Sequence, residues 1–500
     1  MKEIKKVRIP TGYKFLSECI KELPSNCIFN KGITGSGGTT LELKSNRNSI
    51  ICVPNISLVL NKQSKDVFGI YGKISNGDIK DYLKSKIQYK KFIVVYDSLP
   101  RLIDLIGKSI YNDYFLLIDE YHILFNSYVF RNKAVRNILS SFRLFKRFCF
   151  MTATPLEEET ILDELKDIDV VEVKWEDASP VKIDIEDTYY VSAKLKDYIK
   201  FCFQNDYNLH IFINSMKSIS KIIRGSNLLN YRIICSEESA NKYKLLNCES
   251  ITSPIKKINF YTATCFEGVD IYDPIGKTIV VSDSHVSTTM IDISTLFIQI
   301  CGRLRDSIYK DQVTFIVNAN SHRYCKYDSF DKFKEMSDES EKFGKTTEKL
   351  FIEGDSDYKK MEQIKYCYET YSNIYVVKDD DNNIIYDPNL KTVDLKNYDI
   401  VHNIYASSFS VLKNVSDQNR LEVKNITSER KTIKDIIKII KQSFDYNNLY
   451  SYDELVRIIS SILNEYNLKF KKGDFNKYVN AKQKRIYKDG KKIRLYELIK

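Results

Sequence analysis

The chain has 500 residues and a formal net charge of +11, and at about 150 residues per domain this length predicts about three domains. Hydrophobic residues make up 43% and charged residues 29%, which excludes a disordered or membrane-embedded chain. The cysteines form no Cys-x-x-Cys pair, and neither a secretion signal nor an apolar run of about 18 residues occurs. We therefore expect reduced thiols, a cytoplasmic location and no membrane partner.

The basic excess favours a polyanionic partner, because each phosphate that a Lys or Arg neutralises releases condensed counterions. Lysine-rich composition is also common in chains from AT-rich genomes. Charge alone therefore leaves nucleic acid as one partner among several.

Short apolar runs separated by longer segments predict buried parallel strands in the first third of the chain. These runs cover residues 26–30, 49–53, 91–96, 114–120 and 147–153. A second series covers residues 209–214, 231–236, 258–263, 277–283 and 312–318. The two series predict an α/β fold of two tandem parallel-sheet lobes, at 1–177 and 178–325.

The alternation of strands stops after about residue 325. A charged helical stretch from Lys332 to Tyr371 and a hairpin around the polar turn of IYVVKDDDNNIIYDP predict a mixed accessory region at 326–430. Two amphipathic helical patterns and a final hairpin around Asp489-Gly490 follow. They predict a basic, winged-helix-like module at 431–500, whose lysines, arginines and interleaved aromatic residues suit duplex contact. A basic, solvated tail of a helical packing domain is the alternative.

A glycine-rich loop follows the first apolar run, KGITGSGGTT at 31–40. Its frame is typical of a loop that opens a helix and cradles a triphosphate with backbone N–H groups, while the Thr39 hydroxyl binds Mg²⁺. The predicted nucleotide-binding residues of this loop are Lys31, Gly32, Gly35, Gly37, Gly38, Thr39 and Thr40.

One position departs from this frame, because Gly38 stands where the phosphate-binding lysine is expected. Either strong nucleotide binding is lost, or a nearby cation replaces the lysine. Lys31, directly before the first glycine, is the candidate for replacement.

An acidic pair, Asp119-Glu120, ends a buried apolar run about 80 residues later. This position suits Asp119 to hold Mg²⁺, partly through water, and Glu120 to orient or deprotonate an attacking water.

With these residues in order, the chain resembles a superfamily 2 helicase of the DEAH-box type, written Asp119-Glu120-Tyr121-His122 here. Val53-Pro54-Asn55 and Asp97-Ser98-Leu99 resemble the family's early nucleic-acid-contacting motifs. Thr152-Ala153-Thr154-Pro155 resembles the motif that couples hydrolysis to lobe movement. The resemblance implies two RecA-like lobes, with Pro54, Asn55 and Ser98 contacting nucleic acid and His122, Thr152 and Thr154 acting in coupling.

Further motifs of the family are matched in the second lobe. Ile213-Asn214-Ser215 and the segment from Thr262 to Asp270 resemble its fourth and fifth motifs, and Gln299 to Arg305 resembles its arginine motif. The resemblance implies nucleic-acid contacts from Asn214, Ser215, Thr262 and Thr264, and nucleotide contacts from Gly268, Asp270 and Gln299.

Arg303 and Arg305 are the expected cross-lobe arginines that stabilise charge on the transferred phosphoryl group. The family's second arginine usually falls three residues after Arg303, where Asp306 stands. Arg305 is one residue early, as in some viral origin-binding helicases, so the sequence favours Arg303 as the finger.

The resemblance implies an ATP- and Mg²⁺-dependent helicase or translocase on nucleic acid, with DNA favoured over RNA. Phage or mobile-element replication or recombination, with protein partners from those processes, suits the viral-type arginine motif. Two alternatives stay open: a nucleic-acid-binding scaffold with impaired ATPase activity, and an assembly subunit that remodels without separating strands.

Overall fold

The computed structural model describes residues 3–320 apart from 245, 329–353, 374–429 apart from 380 and 382, 433–465 apart from 447, 470–471, 475–488 and 491–499. Two parallel sheets dominate this part of the chain, with eight strands in the first and seven in the second. The predicted pair of RecA-like α/β lobes is confirmed.

The first lobe has the strand order β1-β8-β2-β7-β6-β3-β5-β4, and each of its pairings is parallel. Its strands are β1 (Ile4–Ile9), β2 (Cys27–Asn30), β3 (Ser49–Val53), β4 (Val67–Ile70), β5 (Lys91–Val95), β6 (Phe115–Asp119), β7 (Arg147–Thr152) and β8 (Val170–Trp175). Its helices are α1 (Gly38–Leu43), α2 (Ile56–Lys62), α3 (Asn76–Lys84), α4 (Leu99–Ile106), α5 (Ile110–Asp113), α6 (His122–Asn126) and α7 (Tyr128–Ser141).

The second lobe has the order β11-β12-β10-β13-β14-β9-β17, again with parallel pairings. Its strands are β9 (Val181–Thr188), β10 (Asn208–Phe212), β11 (Tyr231–Ile234), β12 (Ile258–Tyr261), β13 (Gly276–Asp283), β14 (Gln312–Asn318) and β17 (Leu421–Glu429). Its helices are α8 (Val191–Phe203), α9 (Met216–Ser226), α10 (Glu237–Lys242) and α11 (Ile298–Cys301), the last continuing a π-helical turn at Ile293–Phe297.

Each of the ten apolar runs forms a strand because both faces of these parallel sheets are buried. Along β3, Ile50 and Cys52 join one apolar cluster while Ile51 and Val53 join another, and all four are fully buried. Alternate side chains of a strand point to opposite faces, so helices cover the sheet on both sides.

Elements of the accessory region pack against both lobes. Helix α12 (Phe330–Glu353) and a β15–β16 hairpin (Val376–Lys378, Ile384–Tyr386) lead to α13 (Pro388–His402) and α14 (Ser408–Ser416). The hairpin is as predicted, and the predicted helix beyond residue 353 lies outside the described residues. Val393 of α13 joins the core of the first lobe, whereas Tyr405 and Val411 join the core of the second.

Strand β17 lies within the predicted accessory region but pairs with β9 at the edge of the second sheet. Residues 421–429 thus extend the second sheet. The division of the chain into four domains stays a prediction.

The C-terminal region is mixed, as predicted. Helices α15 (Ile433–Gln442), α16 (Tyr452–Glu465) and α17 (Phe475–Tyr478) pack with an antiparallel sheet in the order β18-β20-β19 (Leu449–Tyr450, Lys491–Leu498, Ala481–Lys488). The Asp489-Gly490 turn lies outside the described residues. None of the helices that the structure describes is long and apolar enough to cross a bilayer.

A buried ionic network anchors α1, the helix that follows the glycine-rich loop. Glu42 is fully buried and accepts hydrogen bonds from Arg47 Nη2 at 2.6 Å and Nε at 3.0 Å. Lys91 Nζ donates to the Glu42 carbonyl oxygen at 2.8 Å, and burial lowers the Lys91 pKa to about 8 although Glu42 raises it. Glu42 is therefore the negative charge that compensates two buried cations.

We expect Glu42→Gln to lower the free energy of unfolding by about 3 kcal/mol, because it leaves the buried Arg47 and Lys91 with only the exposed Glu22, 3.9 Å from Arg47, as a counter-charge. Urea denaturation measures this change. Asp167→Asn, which removes an exposed ion pair with Arg143, is the matched control and should cost less than about 1 kcal/mol. Equal costs for the two variants would contradict the assignment of Glu42.

Candidate functional site

The ends of three neighbouring strands in the first lobe bring the predicted loop and acids together. Asn30 of β2 pairs with Thr152 of β7, and Asp119 of β6 pairs with Met151 of β7. Because the strands are parallel, their carboxyl ends lie at one edge of the sheet. The Lys31 backbone N–H donates to the Thr152 carbonyl oxygen at 2.9 Å, which fixes the start of the glycine-rich loop at this edge.

The backbone of the glycine-rich loop uses conformations that favour glycine. Gly32, Gly35 and Gly37 have φ values of +80°, +75° and +81°, which lie in the left-handed region. A side chain at Gly32 would also overlap the Trp175 indole, whose Nε1–H donates to the Lys31 carbonyl oxygen at 2.9 Å.

Lys31 lies against both predicted catalytic acids. Its ammonium donates to Glu120 Oε1 at 2.6 Å and lies 3.9 Å from Asp119 Oδ1, and all three side chains are buried. Thr39 Oγ1 donates to Asp119 Oδ2 at 2.6 Å. The structure thus places Lys31, Thr39, Asp119 and Glu120 in one cluster, as the sequence predicts.

Gly38, at the position of the missing lysine, is closed by a neighbour. A Cβ built on Gly38 would lie 2.5 Å from the Met151 sulfur and 3.6 Å from Leu16 Cδ1. Met151 directly precedes Thr152 on β7. The thioether therefore fills the space that a side chain at Gly38 would enter.

Glu120 has a left-handed backbone conformation and a carboxyl group whose pKa is lowered. Its φ of +52° is rare for a residue with a Cβ, and such strain of order 1–3 kcal/mol clusters at functional sites. Burial by itself raises the Glu120 pKa, but the charges of Lys31 and His122 outweigh it and hold the pKa well below its ordinary value. Burial raises the Asp119 pKa, against the opposing effect of Lys31. Glu120 is therefore ionised near neutral pH.

Residues of the second lobe complete the surroundings of Glu120. Gln299 Nε2 donates to Glu120 Oε2 at 3.0 Å and to Thr154 Oγ1 at 3.1 Å, and Gln299 Oε1 accepts from Arg303 Nη2 at 2.9 Å. Thr152 Oγ1 donates to Glu120 Oε2 at 3.1 Å. Both lobes thus hold the same carboxylate.

His122 also spans the two lobes. Its Nδ1 lies 2.8 Å from Thr152 Oγ1, and its Nε2 lies 2.8 Å from Glu267 Oε1 in the second lobe. The sequence singles out His122 and Thr152 but not Glu267, although Glu267 directly precedes Gly268 within a matched motif.

The two arginines of the arginine motif face different surroundings. Arg303 is buried and donates to the Gln299 carbonyl oxygen at 2.8 Å and the Val269 carbonyl oxygen at 3.3 Å, both in its own lobe. The Arg305 guanidinium instead occupies the space where a side chain at Gly35 would lie. The arginine that contacts the glycine-rich loop is Arg305, whereas the sequence favours Arg303.

Asp270 and Gly268 lie where α2 of the first lobe meets the second lobe. Asp270 accepts from Arg305 Nε at 2.6 Å and lies 3.6 Å from Lys62 Nζ. A side chain at Gly268, whose φ is +71°, would overlap Leu58. Asp270 therefore positions Arg305 across the cleft.

The predicted nucleic-acid contacts follow the carboxyl ends of β3, β5, β10 and β12. Several of them already have partners within the protein. Asn55 and Ser215 cap α2 and α9 through hydrogen bonds at 3.0 and 3.2 Å, Asn214 accepts from Ala263 N–H at 3.2 Å, and Thr262 and Thr264 share a hydrogen bond at 3.1 Å. Ser98 and Pro54 are buried. Thr40 is exposed beside the glycine-rich loop.

Arg131 adds a cation to this surface that the sequence did not indicate. Its Nη1 donates to the Pro54 carbonyl oxygen at 2.5 Å, and its Nη2 pairs with Asp97. Its backbone leaves helical geometry within α7. Arg131 therefore joins the two early motifs of the first lobe.

No protein-family model matches the chain, and no curated protein matches it in sequence. Among solved structures, Mss116p bound to ssRNA and AMP-PNP is 10% identical with a TM-score of 0.43, covering 81% of this chain and 90% of that one. Dbp5 of S. cerevisiae bound to RNA and ADP BeF3 is 11% identical with a TM-score of 0.38, covering 64% and 80%. RecG bound to a three-way DNA junction is 15% identical with a TM-score of 0.38, covering 63% and 41%.

These likenesses are distant. The class that the fold defines is a tandem pair of RecA-like lobes whose facing edges form one polar cleft. What this cleft can do chemically is inferred from its own residues and not from these likenesses.

Proposed function

We propose that the protein is a nucleic-acid-dependent ATPase motor of the superfamily 2 helicase type, a helicase or translocase. The observation that carries the proposal is the carboxylate of Glu120, which Lys31, Thr152 and Gln299 contact from both lobes. A charged carboxylate in a cleft that closes between two lobes is suited to orient an attacking water only when the lobes meet.

The residues of the cleft fit Mg²⁺ and ATP. Ser36 is fully buried in the glycine-rich loop, and its hydroxyl has no hydrogen-bond partner among the described residues. Thr39 and Asp119 offer the few oxygen ligands that Mg²⁺ takes from a protein. Mg²⁺-bound ATP would supply the phosphoryl group that the attacking water accepts.

Within this proposal, Thr39 and Asp119 hold the metal, Lys31 and Arg305 neutralise phosphate charge, and Glu120 accepts the proton of the attacking water. Arg305 takes the role of the cross-lobe finger because its guanidinium faces Gly35. Arg303 acts through Gln299, which it holds against Glu120.

Nucleic acid is proposed to cross the carboxyl edges of both sheets, with DNA favoured over RNA and a replication or recombination role in phage or mobile elements. Phosphate contacts from loop hydroxyls, amides and basic residues carry no base sequence. Binding should therefore weaken steeply with salt and show little sequence preference.

The experiment that tests the proposal is ATP turnover by the full chain, with and without single-stranded DNA or RNA. We expect stimulation by nucleic acid of about tenfold or more, in line with typical coupling energies between sites. Absence of turnover under each condition would overturn the proposal.

The second candidate function is a nucleic-acid-binding scaffold with impaired ATPase activity. The observation in its favour is the packing of Met151 against Gly38, which closes the usual position of the phosphate-binding lysine. Salt-dependent nucleic-acid binding without detectable ATP binding would support the scaffold and exclude the motor.

We predict that His122→Ala uncouples hydrolysis from nucleic acid, because His122 joins Thr152 to Glu267 across the cleft. The ratio of stimulated to basal turnover should fall about tenfold, as expected for the loss of a coupling energy, in addition to any change in basal turnover from the loss of the His122 charge 3.5 Å from Glu120. Steady-state ATP hydrolysis measures both. The control is Arg143→Ala, at an exposed cation that precedes the amino end of β7 and pairs with Asp167. It should keep parental stimulation, and a similar loss in this control would refute the role of His122.

A further inference from the structure

Arg420 lies outside the matched motifs of both lobes, yet its side chain reaches the cleft between them. It directly precedes β17, and its guanidinium Nη1 donates to the carbonyl oxygen of Ala153. Ala153 is fully buried between Thr152 and Thr154, the two threonines that contact Glu120 and Gln299. Arg420 therefore contacts the backbone on which these two hydroxyls depend.

The backbone of Arg420 contacts the second lobe, whereas its side chain contacts the first. Its carbonyl oxygen accepts from the Val181 N–H at 2.8 Å, at the start of the first strand of the second lobe. Leu421, the next residue, pairs with Val181 within the second sheet. Ala153 follows β7 of the first lobe. The bond from Arg420 to Ala153 can form only when the two lobes approach each other.

The surroundings keep Arg420 charged beside an acid. Burial lowers the Arg420 pKa to about 10, while the charge of Glu120 raises it. The guanidinium stays protonated at neutral pH, and it has given up part of its hydration. A cation placed in this way interacts more strongly with the carboxylate than an exposed one would.

We propose that Arg420 is a positioning residue for hydrolysis, which holds the Thr152–Thr154 backbone in its productive geometry only while the lobes are closed. This inference rests on the proposed ATPase function. It assigns a role in the chemistry to a residue 267 positions after Ala153 in the chain. The role also gives the accessory region, which ends in β17, a direct influence on the site.

Three variants of the full chain test the inference through steady-state ATP turnover in the presence of single-stranded DNA. Binding of RNA is measured in parallel. Arg420→Gln should lower kcat about tenfold or more while KM for ATP stays within about threefold, because the lost bond exists only in the closed state. Arg420→Lys, which keeps the charge, should fall between parent and Arg420→Gln. The matched control is Arg136→Gln, since Arg136 also joins the accessory region to the first lobe by donating to a backbone carbonyl, that of Lys378 at 2.9 Å.

The control variant should keep the parental kcat within about twofold. If Arg420→Gln has the kcat of the parent, the inference is overturned, while turnover by the parent still supports the proposed ATPase function. If the parent itself shows no turnover, the inference and the proposed function are both overturned. The inference is also overturned if the Gln and Lys variants show the same fall in kcat and both have a lowered Tm, because this result indicates a structural role alone. If Arg420→Gln does not fold, Arg420→Lys decides: a lower kcat at parental KM and Tm supports the inference, and a parental kcat overturns it.

Discussion

Glu120→Gln is expected to abolish ATP turnover while leaving the fold intact. The substitution keeps the size of the side chain but removes its negative charge, and with it the proton acceptor that Lys31, Thr152 and Gln299 hold in place. Loss of a positioned general base lowers kcat by about 100- to 10,000-fold. Affinity for ATP should stay within about threefold, because Thr39, Asp119 and the glycine-rich loop are unchanged.

Phosphate release under saturating ATP measures this effect, with a fluorescent ATP analogue reporting affinity. Glu157→Gln is the matched control, since Glu157 forms an ion pair at 2.7 Å with Lys396 and its side chain is 54% exposed. The control should turn over at the parental rate. A Glu120→Gln variant as active as the parent would remove the basis of the proposed mechanism.

Lys31→Ala has the second large expected effect. In the proposed site Lys31 supplies the positive charge that the glycine-rich loop lacks at Gly38, and its ammonium already lies 2.6 Å from Glu120. Its removal deletes a cation from the phosphate site and leaves Glu120 buried beside Asp119 with less compensation. We expect kcat/KM for ATP to fall about 100- to 1,000-fold, the size of effect found when one preorganised electrostatic contact is deleted.

Lys44→Ala controls for the general loss of a lysine, because Lys44 is exposed just after α1. It should keep parental kcat/KM. Lys31→Arg, which retains charge but not the compact ammonium, should recover only part of the activity. If Lys31→Ala keeps the kcat/KM of the parent, Lys31 does not replace the phosphate-binding lysine that is missing at Gly38.

The ten strands that coincide with continuous apolar runs could be predicted from the sequence because both faces of their sheets are buried. The strands β1, β8, β9 and β17 could not, since charged side chains alternate with apolar ones along them, and β4 is an apolar strand of only four residues. β1 has the sequence IKKVRI and β17 has LEVKNITSE, and charged edges of this kind are common in sheets. β17 also joins its sheet after a detour of about a hundred residues through the accessory region, and no local pattern encodes that return.

Acidic and hydroxyl residues of the candidate site could be predicted because strand ends in parallel sheets meet at one edge. Asp119, Glu120 and Thr152 follow directly from that rule. Contacts between lobes could not, because they depend on how two sheets face each other. Arg420 lies outside each matched motif, and Glu267 lies within one, but its contact with His122 depends on the other lobe. The choice between Arg303 and Arg305 depends on which guanidinium reaches Gly35.

The measurement that tests the central claim most directly is ATP-dependent displacement of streptavidin from a biotinylated single strand, with Glu120→Gln beside the parent. A motor that couples hydrolysis to movement should displace streptavidin with ATP but not with a non-hydrolysable analogue, and Glu120→Gln should bind the strand without displacing it. Tight strand binding by the parent with no displacement under ATP would contradict the motor and favour the scaffold.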